Sequence, residues 1–362
     1  MKSKHTKTAE ICTIGEEADL QRRKRTDTSK FQVIMWLSAV VLLLIFVFSL
    51  SIGRYSVPFS DTVHILLSKF FSVPQTWPDI HQAVVMNLRL PRTVAAIIIG
   101  AALALSGAVY QSIFKNPLVS PDLLGISSGA CVGAASAILL SLGGAMIQVF
   151  AFVGGLVAVA LTISLPRLIR NESTTVLVLS GIIIGSLMTS ILNIIKFVAD
   201  TDTQLAEITY WTMGSFATIT IDQIIPVLPS IVIPTIVILL MRFRLNVLSL
   251  SDNEAKTLGI NLRTTRGIFV ICSTLITAGS VCLSGTISWV GLIIPHTARI
   301  IIGSDNKKML PIAMIFGSVF MCVIDILCRT ITSAELRLGI LTGIIGAPFF
   351  FFILVKERRR VQ

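Results

Sequence analysis

Long apolar runs of about twenty residues, each closed by a short polar or basic segment, recur along the chain. The candidate spans are 33–52, 92–114, 122–141, 146–166, 174–198, 222–241, 265–284, 286–303, 309–329 and 338–355. A run of this length makes a helix that crosses a hydrocarbon core of about 30 Å. The ten-residue alternation of a membrane barrel is absent, so the pattern predicts an all-α polytopic membrane protein. The third and eighth runs are short or broken by Gly and Pro, which makes their ends the hardest to place. Small residues fall at helical spacing inside the runs: Gly100, Ala101, Ala104 and Gly107, then Gly129, Gly133 and Ala137, then Gly181 and Gly185. Such faces let helices approach closely where lipid supplies no hydrophobic drive between them.

Composition agrees. The chain is 54% hydrophobic and 14% charged, with mean hydropathy +0.85, against roughly 25% charged for a soluble domain. The net charge of +11 is assigned to membrane orientation. With ten spans and a cytoplasmic start, 23 of the 30 Lys and Arg fall on the cytoplasmic side, as the positive-inside bias requires. Both termini are then cytoplasmic. No aromatic-rich basic surface points to nucleic acid. Residues 1–30 read as a polar, basic tail, and the first apolar run is too long for a cleaved signal peptide. Six scattered cysteines without CxxC spacing read as small buried residues.

Four stretches carry candidate chemistry. Arg89 and Arg92 flank Pro91, which suits the first turn of a helix. Cations there oppose the helix dipole and lie on the side that the charge bias empties. They read either as snorkelling to lipid headgroups or as an outward contact for an acidic partner. Arg329 ends the ninth run, four residues after Asp325, a favourable helical pair that lowers the cost of a carboxylate in the membrane. Ser251 and Glu254 fit a capping box and Gly259 a helix stop. They predict a short extramembrane helix over about 251–259, with Ala255 and Leu258 on one apolar edge. It reads as a docking helix or a connector. His296, with no carboxylate or second His at ligand spacing, reads as structural.

Absences narrow the function. There is no GxxxxGK[ST] phosphate loop and no GxSxG, HExxH or paired intramembrane aspartates. No catalytic residue, metal site or cofactor is expected. Asp325 and Lys196 are the ionisable residues well inside apolar runs, few for an ion-coupled pump.

The stretches LRLPR (88–92), GAALALSGAVYQ (100–111), NPLVSPDLLGISSGA (116–130), YWTMGSF (210–216), VGLIIPHTAR (290–299) and GAPFF (346–350), with the 251–259 segment, run in the order of one family. In them the chain resembles the FecCD permeases, membrane subunits of type II ATP-binding-cassette importers for ferric siderophores, haem and cobalamin. The resemblance implies a permease domain over 31–362, a second permease subunit, two cytoplasmic ATPase subunits and an extracytoplasmic solute-binding protein, in a bacterial plasma membrane. It implies that Arg89, Arg92 and Arg329 dock the binding protein. It implies that Ser251, Asp252, Glu254, Ala255, Leu258 and Gly259 form the coupling helix, and that Thr174 and Thr175 border the inner gate. Ferric siderophore is the expected cargo. One departure stands out: Arg337 follows Glu335-Leu336 where the family usually has Pro. The competing expectation is an ion-coupled transporter that works without an ATPase and depends on Asp325 or Lys196.

Overall fold

The computed structural model describes residues 29–72, 74–171, 173–250, 252–332 and 334–361. Most of the predicted tail, Cys12 and Ser251 therefore lie outside the described residues. The apolar runs fold as ten helices: α1 (Ser29–Ser51), α4 (Leu90–Ile113), α5 (Ile126–Leu139), α6 (Gly144–Leu168), α7 (Thr174–Val198), α9 (Ile221–Leu248), α11 (Leu262–Ser284), α12 (Val290–Ile302), α13 (Asn306–Thr330) and α14 (Leu338–Val361). Four short helices join them: α2 (Phe59–Leu67), α3 (Asp79–Ala83), α8 (Gln204–Thr212) and α10 (Asp252–Thr257). The two ends of the bundle are called outer and inner after the expected orientation. The outer end carries α2, α3 and α8; the inner end carries α10.

Burial sorts the helices. Most residues of α4 and α11 are buried, which makes them the centre of the bundle. The helices α1, α7 and α9 expose much of their apolar surface and lie at the periphery. The two short runs become α5, with 14 residues, and α12, with 13. At 1.5 Å per residue they reach only about 20 Å. Their N-terminal ends are covered by protein, with Leu124, Ile126, Ile287 and Val290 buried, so the backbone that leads into them need not face lipid. The eighth run starts later than 286 because Gly285 and Trp289 have positive φ, 69° and 74°. The intervening loop docks on the end of α8, where Thr286 Oγ1 donates to the Thr212 carbonyl at 2.6 Å.

The small-residue faces set the helix crossings. A Cβ at Gly100 would overlap the Gly317 carbonyl of α13, and one at Gly107 the Gly291 carbonyl of α12. Gly129 and Gly133 lie against Gly154 and Phe150 of α6. Gly181 of α7 meets the Leu123 carbonyl. Polar pairs stitch the centre: Ser106 Oγ lies 2.8 Å from Thr277 Oγ1, and Gln111 Nε2 donates to the Leu292 carbonyl at 3.0 Å.

Pro91 does not start a helix. The chain is helical from Asp79 to Ile113, with a π-helical segment at Val84–Arg89 just before the proline. Proline lacks an N–H and crowds the preceding turn, and a widened turn absorbs both without breaking the helix. Arg89 and Arg92 thus sit well inside a continuous helix. The expected conflict with the dipole of a helix N-terminus does not arise.

Candidate functional site

The outer end is organised by the three predicted arginines. Arg89, Arg92 and Arg329 are 5, 8 and 6% exposed. The Arg89 guanidinium donates from Nη1 to the carbonyls of Leu50 (2.8 Å) and Ser51 (2.7 Å) and from Nη2 to that of Tyr55. Arg329 Nη2 donates to the Ser49 carbonyl at 3.0 Å and to Ser49 Oγ at 2.7 Å. Both arginines therefore cap the C-terminus of α1. There the last carbonyls lack helical partners and the dipole is negative. Ser49 Oγ also lies 2.8 Å from Thr93 Oγ1 of α4.

Arg92 points the other way. Its Nε lies 2.6 Å from Asp325 Oδ1, and its Nη1 pairs with Glu335. Arg329 Nε lies 3.3 Å from Asp325 Oδ2. Asp325 is fully buried between two guanidinium groups. Arg92, Arg329, Asp325 and Glu335 carry two positive and two negative charges, so the cluster is internally neutral. It ties α1, α4, α13 and the 331–337 loop together.

This corrects the reading of the arginines as an outward cationic patch. A buried guanidinium requires carbonyl or carboxylate partners, and here the bundle supplies them. The lipid-headgroup reading is corrected for the same reason. Only the Asp325–Arg329 pair was anticipated; Glu335, Ser49 and the α1 carbonyls left no local signal. Arg89→Lys should loosen the end of α1, because an ammonium cannot match a fork that reaches three carbonyls. Faster deuterium uptake at 45–55, with the rest of the bundle unchanged, is the expected readout; unchanged uptake there would remove Arg89 from this role.

Arg337 stacks on Tyr210, 4.7 Å from guanidinium carbon to ring centre. The pair borders an outer cavity of about 520 Å³ that Gln148, Glu207, Trp211 and Gln223 also line. The Arg337 charge is thus held by an aromatic face.

At the inner end, α10 begins at Asp252 and stops before Gly259, whose φ is +71°. Nothing lies within 4 Å of a Cβ placed at Gly259, so its backbone conformation, not crowding, calls for glycine. Ala255 is 1% exposed and Leu258 59%. The two do not share an apolar edge. The helix ends at Thr257, Leu258 already belongs to the turn, and helical spacing does not carry across that boundary. Glu254 is exposed; the side chain of Asp252 lies outside the described residues.

Thr174 and Thr175 open α7, capped by Ser173 Oγ, which accepts from the Val176 N–H at 3.3 Å. Thr175 is exposed, and the side chain of Thr174 lies outside the described residues. Further along α7, Ser186, Thr189, Ser190 and Asn193 are also exposed. Thr189 and Ser190 donate to the carbonyls of Gly185 and Ser186, four residues back. His296 is buried on α12, edge-on to Phe350 with ring centres 6.3 Å apart. Cys131, Cys272, Cys282, Cys322 and Cys328 are buried free thiols.

Sequence comparison places this architecture. The chain is 35% identical over 322 residues to the molybdate import system permease protein MolB of Haemophilus influenzae, covering 88% of this chain and 94% of that one. It is 37% identical over 275 residues to a Helicobacter pylori protein assigned as an iron chelatin transport system permease, covering 76% and 83%. A solved structure assigned as a metal-chelate type ABC transporter in an inward-facing conformation superposes with a TM-score of 0.80 at 34% identity, covering 90% of this chain and 99% of that one. The model of the FecCD transport family matches residues 41–356; the chain belongs to that family.

Proposed function

We propose that this chain is the membrane subunit of an ATP-binding-cassette importer for a metal chelate, with a ferric siderophore as cargo. The observation that carries the reading is the likeness, over 90% of the chain, to a structure assigned as a metal-chelate type transporter. The iron chelatin assignment of the Helicobacter pylori relative supports iron. The subunit sits in a bacterial plasma membrane with both termini cytoplasmic, as the charge bias requires.

The partners follow from what each surface offers. Helix α10 stands outside the membrane, with Leu258 exposed just past its end; a groove on a cytoplasmic ATPase takes it, and ATP-driven closure moves it. The exposed Asn193 amide on α7 is costly against lipid, and the polar face it shares with Ser186, Thr189 and Ser190 suits a second permease subunit or a solvated path between two subunits. Thr174 and Thr175, at the inner start of α7, border the gate of that path. On the outer face an extracytoplasmic binding protein meets the loops that Arg89, Arg92 and Arg329 hold, so these arginines position the docking surface from beneath. No bond in the cargo changes, and the hydrolysed ATP belongs to a partner.

An ATPase-free transporter would need a mobile charge. Asp325 is locked between Arg92 and Arg329, and the relatives named above do not support that mode.

The test is uptake into proteoliposomes with the cognate ATPase and binding protein. Ferric siderophore is offered against haem, cobalamin and molybdate. ATP-dependent accumulation of the siderophore, and none by the chain alone on an ion gradient, is expected. Preference for another compound replaces the cargo; accumulation without ATPase sinks the importer reading. Leu258→Asp should cut uptake at least about tenfold by burying a charge in the ATPase groove, with the bundle's melting unchanged. Full uptake by that variant would exclude Leu258 from the contact.

A further inference from the structure

The inner end holds a second cavity, of about 530 Å³, apart from the surfaces assigned to transport above. It opens between the ends of α4 and α12 and the start of α13. Ser112, Lys115, His296, Arg299, Ser304 and Asn306 are among its lining residues, and none of the described lining residues is a carboxylate. In a chain read as spanning a membrane, a polar hollow with cationic walls is set for an anion.

Arg299 is the centre. Nη1 donates to Gln111 Oε1, and Nη2 to the Ala108 carbonyl (3.1 Å) and Ser112 Oγ (3.2 Å). All three acceptors are neutral, so none offsets the charge. Guanidinium has five N–H donors; three are used, and one on Nη1 and one on Nε remain. Asn306 is 2% exposed. Its Oδ1 accepts from Ser112 Oγ at 3.1 Å, which leaves the amide NH₂ as a further donor among the lining groups. Asn306 is also the first residue of α13. Its backbone N–H goes to Asn246 Oδ1, and that of Lys307 to Asp305 Oδ1, so the 25-residue helix offers its positive dipole end rather than free amides. Asp305, the nearest carboxylate in sequence, also accepts from Asn246 Nδ2 at 2.7 Å and is not part of the lining.

We infer that this cavity binds a phosphate group through Arg299 and Asn306. The remaining N–H groups of Arg299 can each donate one charge-assisted hydrogen bond to a phosphate oxygen, and basic pockets between membrane helices on the cytoplasmic side take lipid headgroups. Two sources share this chemistry: an anionic phospholipid of the inner leaflet and free phosphate in the cytosol.

The experiment uses the full chain purified with its bound lipid, and two variants. Arg299→Gln removes the charge. Ser304→Glu adds an opposing charge at an exposed lining position, where an acid next to a helix start does not harm folding. Native mass spectrometry after exchange into mixed phosphatidylglycerol and phosphatidylcholine nanodiscs reads the lipid source. Thermal unfolding with inorganic phosphate at fixed ionic strength reads the free one. Retention of phosphatidylglycerol at least tenfold over phosphatidylcholine, lost in both variants, establishes the headgroup. A phosphate-dependent rise in melting temperature, weakened at least tenfold in Ser304→Glu, establishes the free anion. Absence of both effects in the wild type, or their persistence in both variants, overturns the site.

Discussion

Asp325→Asn is expected to destabilise the bundle by about 3–5 kcal/mol, the typical cost of removing one partner from a buried ion pair. The carboxylate is fully buried and touches Arg92 at 2.6 Å and Arg329 at 3.3 Å. Without it, two guanidinium groups share the half-buried Glu335, which pairs with Arg92, and the buried end of the cluster holds net positive charge in a medium that solvates it poorly. Glu335→Gln should cost less, about 1–2 kcal/mol, because Arg92 keeps its pairing with Asp325. Arg92→Leu combined with Asp325→Asn should recover part of the loss, since one stranded cation goes with the anion. Melting of the detergent-solubilised protein reads all three. A single Asp325→Asn variant that melts with the wild type would falsify the clamp.

Gly107→Val should be at least as damaging, for a steric reason. A Cβ at Gly107 overlaps the Gly291 carbonyl, and both partners are backbone, so no rotamer change relieves the clash. The helices α4 and α12 must separate at their crossing. The Gln111 bonds to the carbonyls of Gly291 and Leu292 one turn further on are then lost too. Overpacking in a tight core costs roughly 1–3 kcal/mol and sometimes more, and here the hydrogen bonds add to it. The control is Gly267→Ala on α11, where nothing lies within 4 Å of the new methyl. That change should be neutral or stabilising by up to about 1 kcal/mol. Opposite effects on melting are expected from two glycine substitutions in buried helices of one bundle. Equal effects would mean that contact at the crossing does not decide stability.

The two substitutions also mark what the chain makes legible. Gly107 announces itself: small residues at helical spacing inside an apolar run are a local signal, and the runs also mark the apolar helices, seven of which among the described residues are long enough to cross a membrane. The partners of the arginines are not local. Arg92 meets Asp325 across 233 residues and Arg329 meets Ser49 across 280, and no spacing rule connects them. Pro91 misled for a different reason. Its usual place at a helix start is a statistical preference, and the π-helical turn before it let the helix run on. The short outer helices were missed because they lack apolar runs, although turn chemistry was present. Asp200 Oδ1 accepts from the N–H groups of Asp202 and Thr203 just before α8. Thr220 and Gln223 form a capping box at the start of α9. At α10 the stop was readable from Gly259, but the faces of a six-residue helix were not, because one residue of boundary shift moves Leu258 out of the helical register.

The clamp on α1 also dictates an order of assembly. The span is synthesised well before Arg329, which holds its Ser49 carbonyl and lies 280 residues later. At roughly 5–20 residues per second, α1 waits about 15–60 s in lipid before that partner is synthesised. Its outward-turned apolar surface suits that interval, since lipid can keep the helix solvated on its own. The clamp of the outer end is therefore completed in two steps, first by Arg89 and much later by Arg329. A ribosome stalled between residues 93 and 329 would leave a membrane-inserted chain whose first helix is held at Leu50 and Ser51 by Arg89 but lacks its second clamp at Ser49.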